Sequence, residues 1–133
     1  GVKWTPYQKY GGKPNWVMVG PNLKIVHGHY AGTNHLTRHF LDHLTNVHYG
    51  HMHTVEEKSF RIPSAHISVK TLGCLCTPTA SYHRGTNNSW GQGFEIINLL
   101  PNGLFFDTYI KIIHGQAVYN GKVYTAKPEK WME

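Results

Sequence analysis

The sequence predicts a mixed α/β (α+β) domain, a βαβ unit followed by an antiparallel C-terminal sheet with few helices. Three observations carry this reading. A single helical period in the middle of the chain is flanked by short apolar runs. Histidines stand where both of those runs end. Beyond Pro63 the apolar residues fall into strand-length runs punctuated by Asn-Gly pairs, which suit the positive φ of hairpin turns.

The 133 residues suit one domain: an irregular lead-in over 1–15, the βαβ unit over 16–62, antiparallel strands over 63–126 and a tail over 127–133. A chain of this length buries roughly two-thirds of its unfolded surface. Trp4 to Pro14 is rich in Gly, Pro and Tyr and has no period, so it reads as a loop. Trp16 to Val19 and Leu23 to Val26 are two short strands joined by the turn residues Gly20, Pro21 and Asn22.

From Asn34 to Thr45, Leu36, Phe40 and Leu44, then Val47, recur at helical spacing, with Thr33 or Asn34 as N-cap. Asn46 to Tyr49 is the next strand and leads into Gly50-His51-Met52-His53-Thr54. After it come Ala65 to Val69, Gly93 to Leu99, Leu104 to Ile113 and a small hairpin around Asn120-Gly121. Cys74 to Gln92 is polar and turn-rich and reads as a long loop near a surface or site.

Composition narrows the classes. With 40% hydrophobic and 15% charged residues the chain is neither disordered nor a coiled coil. A formal charge of +6 favours anionic partners such as phosphoesters, nucleotides or nucleic acid, although no two Lys or Arg are adjacent and a solvated basic surface explains it equally well. No stretch has the roughly 18 apolar residues of a membrane span and no secretory leader opens the chain, so a cytoplasmic protein with no membrane partner is expected. Cys74 and Cys76 are too close in sequence for an ordinary disulfide and lack the second pair of a zinc ribbon, so they read as packed thiols in a reducing compartment.

The eleven histidines fall into two kinds. His35, His39 and His43 are spaced by four, one helical face beside the apolar stripe; with no carboxylate in line, a solvated face outweighs a metal site. His27, His51 and His53 each follow a predicted parallel strand, at the edge where open α/β sheets place their ligands. Neutral imidazole suits Zn, Mn or Fe, and two histidines one residue apart can face two neighbouring ions.

The run Leu23-Lys24-Ile25-Val26-His27-Gly28, then a helix, then Asn46-Val47-His48-Tyr49-Gly50-His51-Met52-His53-Thr54, resembles the last two motifs of the calcineurin-like metallophosphoesterases, a strand-end histidine and G-H-x-H. Ser89-Trp90-Gly91-Gln92-Gly93-Phe94 leading into a strand is similar to the C-terminal sheet of small phage or bacterial members. The resemblance covers roughly Val17 to Ala126. It implies a partial metallophosphoesterase sandwich and a bacterial or phage-infected cytoplasm. His27 and His51 would hold one ion and His53 a second, with Gly50 letting the backbone turn tightly enough to bring both imidazoles into the cleft. The metals, Mn2+, Zn2+ or Fe2+, would activate a bridging water against phosphorus.

The family's upstream D-x-H, G-D-x-x-D and G-N-H-[DE] do not precede Val17. The chain's two aspartates, Asp42 in the helix and Asp107 in a late strand, fit none of these patterns, and Thr33-Asn34-His35-Leu36 lacks the acid and reads as a helix start. No catalytic residue is therefore assigned. The expected function is the C-terminal metal-binding portion of a phosphoesterase, carrying two ions only when an N-terminal half is supplied and inactive alone. Tyr30, His83 and Arg84 are weaker substrate-facing candidates. Three origins fit: a fragment, a split subunit, or a truncated relative with a new role. An exposed sheet edge and apolar face then predict association with the missing half or with a second copy. The competing class is a non-enzymatic module binding a nucleotide or a protein; a third reading is a hydrolase with one three-histidine Zn2+ site.

Overall fold

A computed structural model of the chain describes residues 16–76 and 89–126. Over these residues the fold is mixed α+β, mostly strands in two sheets with one helix. The lead-in, the tail and the loop residues 77–88 lie outside the described residues.

The first sheet has the order β1-β2-β3-β5-β4. Its strands are β1 (Trp16–Val19), β2 (Leu23–Val26), β3 (Asn46–Tyr49), β4 (Val55–Ile62) and β5 (Ala65–Leu72). β1 and β2 form the expected antiparallel pair across a turn in which Gly20 has φ +63°. β2 and β3 run parallel, joined by α1 (His35–His43), so the βαβ unit is present.

The helix ends at Leu44, which takes a left-handed conformation and donates its N–H to Phe40 O. Leu44 therefore leaves the apolar stripe and is exposed, while Leu36 and Phe40 pack inward. Asn34 stands at the N-cap without a side-chain cap hydrogen bond.

Two sequence expectations are corrected. No strand was named over Val55–Ile62 within the 16–62 unit, yet β4 forms a full hairpin with β5 from Val55↔Leu72 to Ile62↔Ala65. Its charged, exposed residues hide its period, as edge strands often do. The strand at Ala65 was expected in the antiparallel half; instead β5 inserts between β3 and β4 and runs parallel to β3. Antiparallel pairing alone holds only in the second sheet, β6 (Gln92–Leu99), β7 (Phe105–Ile113), β8 (Gln116–Tyr119) and β9 (Lys122–Thr125), in that order. The Asn120-Gly121 turn closes β8 to β9 with φ +48° and +71°, and His114-Gly115 closes β7 to β8 in the same way.

Alternation along β3 and β5 explains the layers. Val47, Tyr49, Ile67 and Val69 point to the face that α1 covers and, with Val26 and Leu36, make the core. His48 and Lys70 point to the other face, where they meet Glu95 of β6 and Asp107 of β7. β3 is thus covered on both sides, which is why its last three residues are buried. No helix among the described residues is long and apolar enough to cross a membrane.

Candidate metal centre

His27 follows the last residue of β2, and Gly50-His51-Met52-His53 follows β3. Because the two strands are parallel, both segments emerge at the same edge of the sheet. Gly28, at φ +93°, lets them approach: a Cβ there would stand 2.7 Å from the Tyr49 ring and 3.2 Å from His51 Cβ.

Gly50 was expected to supply the tight turn. The left-handed residues are instead the histidines themselves, His51 at φ +58° and His53 at +59°. Such a φ is uncommon outside glycine, and its appearance twice within three residues marks a backbone held by its surroundings. That support comes from the buried Thr71 of β5, whose hydroxyl lies 3.2 Å from both Gly50 O and Thr54 O, and from Gly91 N–H, which donates to His53 O.

This turn sends the two imidazoles different ways. His51 stands edge-on to His27 with ring centroids 5.3 Å apart. His53 packs edge-on against Trp90 at 4.2 Å. Partial burial of its ring first, then the neighbouring His51 and His53, hold His27 below the usual imidazole range. The neutral ring that coordinates a metal is thereby favoured near neutral pH.

No three of these imidazole donors form one compact ligand set among the described residues. The compact set is His53, Cys74 and Cys76, whose ligand atoms all lie within 4.8 Å of one another. Both cysteines are free thiols. They were expected to be packed, but Cys76 is exposed and Cys74 half-buried. Burial pushes the Cys74 thiol up to about 11. Sequence spacing shows the C-x-C pair but not its third member, which arrives from another loop through backbone pairing.

The helical histidines also depart from expectation: His35 and His39 are buried, at 2% and 0% exposure, rather than solvated. His35 Nδ1 meets the Tyr49 hydroxyl, and its Nε2 lies 3.4 Å from Glu56. His39 Nδ1–H donates to His35 O at 2.8 Å, and its Nε2 accepts from the His29 backbone N–H at 3.3 Å. The helix therefore props the loop that carries His27.

Tyr30 lies on that loop with its hydroxyl donating to Asp42 and its ring beneath the Arg38 guanidinium, 4.1 Å from centroid. His83 and Arg84 lie outside the described residues. Of the two aspartates, Asp42 pairs with Tyr30 and His29, and Asp107 with Lys70. Both are engaged away from the His27 and His51 rings.

No family model, no curated protein and no solved structure matches this chain.

Proposed function

We propose that this chain is the C-terminal metal-binding portion of a calcineurin-like phosphoesterase, completed by an N-terminal half that brings the carboxylates. The observation that supports it most is the meeting of His27 and His51 at the ends of parallel strands, 5.3 Å between ring centroids, with His53 turned to a different quarter. One ion taken by His27 and His51 and a second by His53 would suit this divergence. A single three-histidine ion would not, because the three rings offer no compact donor set.

The donor chemistry fits only in part. Three imidazoles suit Mn2+, Zn2+ or Fe2+, but both aspartates are engaged elsewhere, so no aspartate among the described residues is placed to bridge two ions. Held by His27, His51 and His53 together with carboxylates from the other half, two metal ions would supply Lewis-acid activation of water for phosphoester hydrolysis. The chain's own part is to hold its imidazoles in place, through Gly28, Thr71 and His39.

The test is a phosphodiesterase assay on the isolated chain in Mn2+. Turnover indistinguishable from buffer is expected, with activity appearing when a polypeptide carrying D-x-H and G-D-x-x-D is added. Robust turnover by the lone chain would contradict the half-site reading. The same pairing of aspartates away from the rings favours a second reading, a non-enzymatic nucleotide-binding module, for which added N-terminal polypeptide would elicit no hydrolysis.

A further inference from the structure

We propose that His53, Cys74 and Cys76 form a thiolate–imidazole site for a thiophilic ion of the Zn2+ class, separate from the His27–His51 pair. Their donor atoms lie within 4.8 Å of one another. Around tetrahedral zinc, with Zn–S of about 2.3 Å and Zn–N of about 2.0 Å, donors stand roughly 3.5–3.8 Å apart, so closure needs only small side-chain rotations.

The backbone beneath the site is fixed. His53 O accepts from Gly91 N–H at 2.9 Å, and Gly91 O accepts from Cys74 N–H at 2.9 Å. One residue thus clamps both ligand-bearing segments. Gly93 N–H donates to Cys74 O at 3.1 Å and Gln92 Nε2 to Cys76 O at 2.8 Å, which ties the second cysteine to the same strand.

This approach requires glycine. Gly73, the residue before Cys74, has φ +72°, and a Cβ there would lie 2.2 Å from Gly91 O. The Tyr109 hydroxyl is buried without a hydrogen-bond partner among the described residues, directly over Gly93. A buried donor left unpaired costs free energy, and a metal-bound sulfur or water in this corner would give it an acceptor.

Three protein donors leave a fourth position for water. His53 is common to this site and to the phosphoesterase reading, so the two would compete for its imidazole. The sulfur site itself needs neither His27 nor His51 and does not rest on the phosphoesterase reading.

The experiment is titration of the reduced chain with Co2+ under anaerobic conditions, followed by optical absorption. The chain is expected to take up one Co2+ with a thiolate-to-cobalt charge-transfer band and intense tetrahedral ligand-field bands. Cys76→Ser, at an exposed position where folding is not at stake, is expected to lose about half the charge-transfer intensity and at least about tenfold in affinity. His53→Ala should shift the ligand-field bands, whereas His27→Ala and His51→Ala should leave the sulfur band in place. Absence of the band from the unaltered chain, its full retention in Cys76→Ser, or its loss in His27→Ala would overturn the proposal. A Co2+ spectrum without sulfur that vanishes in His51→Ala would leave the histidine pair standing and this site refuted.

Discussion

At the scale of single residues, His39 shows how the helix reaches the sheet edge that carries His27. Its Nδ1–H and Nε2 are both committed, to His35 O and from His29 N–H, so protonation must break the second bond inside a buried site. Burial is the larger cause of the ring's low pKa, about 4 against an ordinary 6.5. Between those values the unfolded chain binds the proton and the folded chain does not, so stability rises with pH across that window. The contribution is complete above about pH 6.5 and is lost as pH falls towards 4. Urea unfolding at a series of pH values is expected to show this slope. In His39→Gln the slope should flatten, with a loss of about 2 kcal/mol at neutral pH. The spacing of His35, His39 and His43 was legible in the sequence, but not the direction of the face. A histidine can be as buried as a leucine once a carbonyl and an amide satisfy it. His27, His51 and His53 were locatable because strand ends are readable from apolar runs. Cys74 and Cys76 were not, since the residue that joins them is brought by Gly91 and Gly73, a contact without sequence periodicity.

Among the elements, the ion network between the sheets sets how β6 and β7 sit on β3 and β5. Lys70 is 8% exposed, pairs with Asp107 and lies 3.2 Å from Glu95, which in turn is 2.5 Å from His48 Nδ1. Burial works against the ammonium, but the Asp107 hydrogen bond and the surrounding carboxylates outweigh it and raise the Lys70 pKa, while Lys70 draws Asp107 down against its own burial. Removing one member strands the others in a poorly solvated layer. Lys70→Ala is expected to cost roughly 3–5 kcal/mol in denaturant unfolding. Lys58→Ala, an exposed lysine bonded to Thr37 Oγ1, should cost less than about 0.5 kcal/mol. An equal loss in both would remove the network from the sheet interface. The βαβ unit was legible because its pairing partners are consecutive in sequence. β5 was not placed, because its parallel partner β3 lies across the whole β4 strand, and β4 itself carries Glu56, Glu57 and Lys58 where a half-buried strand would alternate.

Over the whole molecule, the two sheets and the helix form a scaffold with one edge rich in imidazole and sulfur. β1, at the edge of the first sheet among the described residues, exposes Trp16, Val17 and Met18, and the second sheet exposes Phe94, Phe106, Ile113, Val118 and Val123. This apolar surface fits the proposed need for an N-terminal half or a second copy. The central proposal is that His27 and His51 share an ion, and Mn2+ tests it most directly because it favours nitrogen and oxygen over thiolate. Mn2+ binding followed by electron paramagnetic resonance is expected to weaken at least about tenfold in His27→Ala and in His51→Ala, to survive in Cys76→Ser, and to be unchanged in His66→Ala, an exposed position on β5. Equal Mn2+ affinity in the unaltered chain and in His51→Ala would contradict it.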